Sequence, residues 1–96
     1  MKCMGDWLCD ISYLMQNISQ EKRLQIICML SKTKSMCVCE IIDKLEIRQN
    51  LVSHHLKILK DLWLIKNKRD GKNIHYMIDK KKFDKFKLDL KKIFNI

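Results

Sequence analysis

Two groups of residues carry types and spacings that do chemistry. Cys37 and Cys39 form a Cys-x-Cys pair. Thiolates are nucleophiles and the ligands that select soft ions. Gln49, Asn50, Ser53 and His54 follow shortly after, interleaved with Arg48, Lys57 and Lys60. Amide, hydroxyl and imidazole groups hydrogen-bond to the edges of nucleobases, and either Gln49 or Asn50 has the amide that pairs bidentately with adenine. Lysine and arginine meet phosphates. The cysteine pair is awkward on a regular helix, where residues two apart lie about 200° apart around the axis. For both sulfurs to grip one ion, the first turn must start non-helical or distort. Two thiolates also under-coordinate a soft ion. As(III) takes three sulfurs, and Cd(II), Pb(II) or Zn(II) three or four ligands, so Cys3 and Cys9 are the candidates to complete the set, singly or together.

Those residues need a scaffold, and the composition bounds it. Ninety-six residues make one small domain, which a dimer interface would stabilise. Twenty Lys+Arg against eleven Asp+Glu give a formal charge of +9, which favours a polyanionic partner such as nucleic acid. Asp6 and Asp10 interrupt any export-signal core, and the longest apolar run, residues 26–30, is too short to span a bilayer. The expectation is a soluble cytoplasmic protein, where structural disulfides are disfavoured.

Hydrophobic periodicity places five helices and a hairpin. Trp7, Ile11, Leu14 and Ile18 make one stripe over residues 7–18, with Gly5-Asp6 opening it. Ser19 reads as the N-cap of a helix over 20–31, with Leu24, Ile27 and Leu30 or Ser31 at helical spacing, Ile26 and Met29 broadening that face and Cys28 as a small buried residue. Ser35 reads as the cap of a helix over 36–45, where Val38, Ile41, Ile42 and Leu45 form a stripe. After the turn Glu46-Ile47-Arg48 comes a helix over 49–62. It buries Val52, Leu56, Leu59 and either Leu62 or Trp63, and shows Gln49, Asn50, Ser53, His54, Lys57 and Lys60 on its other face. His55 lies 100° from His54, towards the Leu56 side, and reads as structural. Asp70-Gly71 between apolar runs predicts a type I′ hairpin turn with a basic tip of Lys66, Lys68, Arg69 and Lys72. A last helix over 80–94 carries Phe83, Phe86, Leu90 and either Ile93 or Phe94 on one stripe.

Helix, helix, helix-turn-helix, hairpin, helix is the order of a winged helix-turn-helix. Four segments in that order resemble the ArsR/SmtB metalloregulatory repressors: Lys22-Arg23-Leu24-Gln25-Ile26, Met36-Cys37-Val38-Cys39-Glu40, Ser53-His54-His55-Leu56, and Asp70-Gly71-Lys72 with His75-Tyr76. The resemblance covers roughly residues 14–80. Three departures stand out. Lys22 replaces a common proline. Ile42 occupies the place of a third cysteine found in some arsenic sensors. The last helix has no histidine, so the family's other common metal site is missing.

The expected fold is therefore mainly α with a β-hairpin wing, order α-α-α-α-β-β-α, dimeric. Residues 1–96 form one domain: an N-terminal arm (1–6), the helix-turn-helix (36–62), the wing (63–78) and a C-terminal dimerisation helix (80–94). The resemblance implies a homodimeric repressor of double-stranded operator DNA, not an enzyme and not a membrane protein. Arg48, Gln49, Asn50, Ser53, His54, Lys57, Lys60, Arg69 and Lys72 would contact DNA. Trp7, Ile11, Leu14, Ile18, Phe83, Phe86, Leu90 and Phe94 would form the dimer interface. As(III), Cd(II), Pb(II) or Zn(II) at Cys37 and Cys39 would release the operator, with N-terminal cysteines of the partner subunit, Cys9 and Cys3 by analogy, completing the site. DNA binding itself needs no cofactor. The alternatives are a thiol-redox or reactive-sulfur sensor on the same fold, a winged-helix regulator with no inducer, and a Cys-x-Cys thiol oxidoreductase. No glycine- or proline-rich active-site turn accompanies the pair to favour the last.

Overall fold

The computed structural model describes residues 5–95. Its elements are α1 (Asp6–Ile18), α2 (Glu21–Ser31), β1 (Met36–Cys37), α3 (Val38–Leu45), α4 (Gln49–Asp61), β2 (Ile65–Asp70), β3 (Asn73–Ile78) and α5 (Lys80–Phe94). The five helices and the wing fall in the expected order. The strand β1 is additional, and with it the wing becomes a three-stranded antiparallel sheet, β1-β3-β2. One core joins the elements. Ile11 and Leu14 of α1, Ile26 and Leu30 of α2, Ile41 of α3, Val52, Leu56 and Leu59 of α4, Leu64, Ile65 and Phe86 are all buried.

The helix ends correct several expectations. Ser19 closes α1, its N–H bonded to the Met15 carbonyl, and does not cap α2. Gln20 caps α2 instead, its side-chain oxygen accepting from the Arg23 N–H at 3.1 Å. Ser35 does not cap α3; Cys37 occupies that position in an extended conformation (φ −77°, ψ 159°). On α2, Ile26, Ile27 and Leu30 face inward, while Leu24 and Cys28 are exposed. Cys28 lies about 150° round the helix from the middle of that buried trio, so it cannot share their face.

The turn between α3 and α4 rests on Glu46, whose φ of 54° stops α3 in the left-handed region. The end of α4 is similar. The Leu64 N–H reaches the Leu59 carbonyl and the Trp63 N–H reaches that of Lys60, with Trp63 at φ 65°. This is the Schellman arrangement, usually built on glycine. It turns Trp63 outward, 70% exposed, and leaves Leu62 and Leu64 to the core.

In the wing, Asp70 pairs with Asn73, so the loop is Gly71-Lys72. Only Gly71 has positive φ (62°), the pattern of a type II′ turn and not type I′. β3 leads into α5, where the Asp79 carboxylate accepts from the Lys82 N–H at 3.3 Å. α5 packs against α1. No helix among the described residues is long and apolar enough to cross a membrane.

Candidate nucleic-acid interface and thiol pair

The amphipathic pattern of α4 fixes which side chains reach solvent. Val52, His55, Leu56 and Leu59 face the core; Gln49, Asn50, Ser53, His54, Lys57 and Lys60 are exposed, as is Arg48 before the first turn. Leu51, 45% exposed, shares that solvent side and was not anticipated. No side chain caps α4, so its first amides are open. Arg69 and Lys72 are exposed at the wing tip. Among the described residues, none of Arg48, Lys57, Lys60, Arg69 and Lys72 forms an ion pair. By contrast, two lysines of α5 are partly answered on their own helix, Lys87 by Asp84 at 3.8 Å and Lys92 by Asp89 at 3.9 Å.

The cysteine pair resolves its geometric difficulty by straddling an element boundary. Cys37 is extended, in β1, with its backbone paired opposite His75 of β3. Cys39 is the second residue of α3. Their Cα atoms are 5.4 Å apart and their sulfurs are joined as a disulfide. Glu40 steadies the junction by accepting from the Cys37 N–H at 3.4 Å. Cys37 is buried and Cys39 exposed. Both line a cleft of about 280 Å³ whose other walls include Gln49 and Ser53 of α4 and Lys72 and Asn73 of the wing.

Joined as a disulfide the two sulfurs are not thiolate donors; once reduced they would fit a soft ion but leave it short of ligands. Among the described residues, no group of three or more His, Cys, Asp or Glu could hold a metal. Cys9, in α1, is therefore not gathered with Cys37 and Cys39 in one chain, and it is itself disulfide-bonded. Cys3 lies outside the described residues.

His55 is buried on the inner side of α4, and its Nδ1 accepts from Arg23 Nε at 3.2 Å. Arg23 also donates through Nη1 to the Asn17 carbonyl at 2.8 Å. Burial first, then the Arg23 charge and His54, holds the His55 pKa below its ordinary 6.5. The pairing joins residues 32 apart, so no local sequence pattern signals it.

The interface expected of α1 and α5 divides. Ile11, Leu14 and Phe86 are buried in the protomer's own core, so they are corrected to core residues. Trp7, Ile18, Phe83 and Leu90 are half-buried against that core, and Phe94 is 57% exposed. Met15, Leu88 and Ile93 are further exposed apolar residues on these helices.

Residues 20–67, half of the chain, match the family described as bacterial regulatory protein, arsR family. The chain belongs to the ArsR family. The matched stretch contains α2, the cysteine pair, α3 and all of α4. Among its relatives, an uncharacterized HTH-type transcriptional regulator of Methanocaldococcus jannaschii is 45% identical over 58 residues, covering 59% of this chain and 65% of that protein. A cadmium resistance transcriptional regulatory protein of Staphylococcus aureus, a CadC homolog, is 31% identical over 70 residues, covering 73% and 58%. The alignments thus span less than two thirds of either relative. HlyU from Vibrio cholerae shares the fold at a TM-score of 0.77 and 24% identity, over 97% of this chain and 100% of that one. ArsR members are regulatory proteins, and both relatives are transcriptional regulators rather than enzymes.

Proposed function

We propose that this ArsR-family chain is a homodimeric repressor that binds operator DNA through α4 and the wing and is released when its thiols are occupied. Gln49, Asn50, Ser53 and His54 read base edges in the major groove; Arg48, Lys57 and Lys60 hold phosphates; Arg69 and Lys72 reach the minor groove from the wing. Residues 36–62 act as the helix-turn-helix, 63–78 as the wing and 80–94 as the dimerisation helix, in a cytoplasmic protein. The exposed apolar residues of α1 and α5 support the dimer. Leu8, Met15 and Ile93 line an open groove of about 410 Å³ between these helices, and Phe94 lies beside it in sequence. Two α4 helices in a dimer would meet successive major grooves of a pseudo-palindrome.

The observation that carries the regulatory half is the shared cleft. Cys37 and Cys39 form one wall, and the first turn of α4 and the wing tip form the others. A group held by both sulfurs changes the walls that meet DNA, which is the differential interaction that coupling between two sites requires. In the reduced protein, where these cysteines are thiols, the inducer class is a soft ion, As(III), Cd(II), Pb(II) or Zn(II), with Cys9 or Cys3 of the partner subunit as the third donor. The cadmium-resistance relative supports this class. The Cys37–Cys39 disulfide favours a second reading, a redox sensor. In it, a small-molecule disulfide accepts the two electrons as both thiols lose their protons, and it leaves as two thiols.

The test uses a duplex selected by the reduced protein from a random pool. As(III), Cd(II) and Zn(II) are titrated while binding is followed by gel shift. At least one ion should release the wild type, and the Cys37→Ser, Cys39→Ser double variant should bind the duplex and ignore it. A full response in the double variant would sink the proposal. Release by oxidised glutathione alone, reversed by a dithiol, would establish the redox reading instead.

A further inference from the structure

The geometry points to Arg23 as a positioning residue for the DNA-reading helix, acting through His55. The inference rests on α4 being the DNA reader. Arg23 stands in the first turn of α2 and ties three elements together. Its backbone N–H is held by Gln20 at 3.1 Å, its Nη1 donates to the last turn of α1 at Asn17 O (2.8 Å), and its Nε donates to His55 Nδ1 in the middle of α4 (3.2 Å). The exposed face of α4 carries His54 and Ser53, the two residues before His55. A side chain fixed at His55 therefore fixes the rotation of the readers beside it, since each residue turns the helix by about 100°. Direct base contacts tolerate little drift, because a hydrogen bond stretched beyond about 3.5 Å is largely lost.

The bond has a chemical condition. His55 Nδ1 accepts only while it carries no proton, and a protonated ring has no acceptor. Arg23 is always charged, so protonation of His55 breaks the bond and sets two cations face to face. Of the elements packed against α4, α2 contributes Arg23; α1 contributes only the neutral Asn17 carbonyl, through Arg23; α3 and β2 add no charge that shifts His55; and α4 itself contributes His54. Nothing acidic offsets the repulsion. Acid should therefore loosen α4 from the α1–α2 frame without unfolding the chain and weaken specific binding.

The experiment measures the affinity of the full chain for a duplex it selects from a random pool, by fluorescence anisotropy from pH 5.5 to 8.0. Wild type is compared with His55→Gln, which keeps an acceptor for the Arg23 N–H and does not titrate in this range. Their ratio cancels the titration of His54. The wild-type to variant affinity ratio should fall about threefold or more towards pH 5.5, because the bound form disfavours the protonated ring more than the free form does. In parallel, NMR of the free protein should show His55 titrating below 6.5 in wild type and higher in Arg23→Lys, whose ammonium retains the charge but not the planar fork. A pH-independent ratio would overturn the inference, as would a His55 titration indifferent to Arg23→Lys. Failure to enrich any duplex is a different outcome: it would overturn the reading of α4, and the inference with it.

Discussion

Removing Lys57 and Lys60 together should change how operator binding depends on salt. Five exposed cations lie on the proposed DNA side of each protomer, Arg48, Lys57, Lys60, Arg69 and Lys72. Each of these cations, on a phosphate or in the minor groove, neutralises about one backbone charge, so a dimer makes ten such contacts, and counterion release at about 0.9 per contact gives a slope of log K against log salt of about −9. The Lys57→Ala, Lys60→Ala dimer lacks four contacts, so its slope should be about −5. Between 50 and 200 mM salt, affinity should then fall ~300,000-fold for wild type and ~1,000-fold for the variant. Both lysines are exposed and free of ion pairs among the described residues, so stability should move by no more than about 0.5 kcal/mol. Fluorescence anisotropy across the salt series measures the slopes, and thermal unfolding checks the fold. An unchanged slope would refute the placement of α4 on the phosphates.

Three further outcomes follow from the geometry. With both proteins reduced, Cys37→Ser should stay within about 1 kcal/mol of wild type in thermal unfolding, because a serine hydroxyl at this extended N-cap is a stronger acceptor for the first-turn N–H than the Cys37 sulfur, which offsets the burial of its hydroxyl; a loss above 3 kcal/mol would contradict that balance. Trp63→Gly should be neutral to about 1 kcal/mol stabilising, since glycine relieves the φ of 65° and the indole is already mostly exposed; clear destabilisation in urea titrations would show that the indole packs. Because His55 is held below 6.5 when folded, its unfolded form takes up the proton first as pH falls below 6.5. Its contribution to stability is therefore full above 6.5 and lost as pH falls through the folded value, and chemical denaturation at pH 7.5 and 5.5 should show a smaller loss in His55→Gln than in wild type.

Much of the architecture is legible in hydrophobic period. The stripes of α1, α3 and α4 are regular because each helix buries one face against a single core. The residues that departed from expectation did so for non-local reasons. β1 is two residues long and exists because β3 pairs with it, so no local alternation marks it. That strand also moved the cap of α3 from Ser35 to Cys37 and made the cysteine pair compatible with one cleft. Trp63 was ambiguous because the Schellman turn, not the α4 stripe, sets its direction. Cys28 and Leu24 lie within an apolar stretch but off the angle that Ile26, Ile27 and Leu30 share. Ile11, Leu14 and Phe86 show the limit of reading an interface from a stripe, since the same pattern serves a protomer's own core. Arg23 had no visible role until His55 was placed against it.

The chain carries a rival basic surface, the seven lysines of α5, and a polyanion attracted by charge alone would find it. Residue-resolved mapping separates the two most directly. A selected duplex titrated into isotope-labelled protein should shift amides of residues 48–60 and 68–73 and leave the lysine face of α5 unaffected. Shifts concentrated on α5, with α4 silent, would contradict the claim that α4 and the wing read the operator.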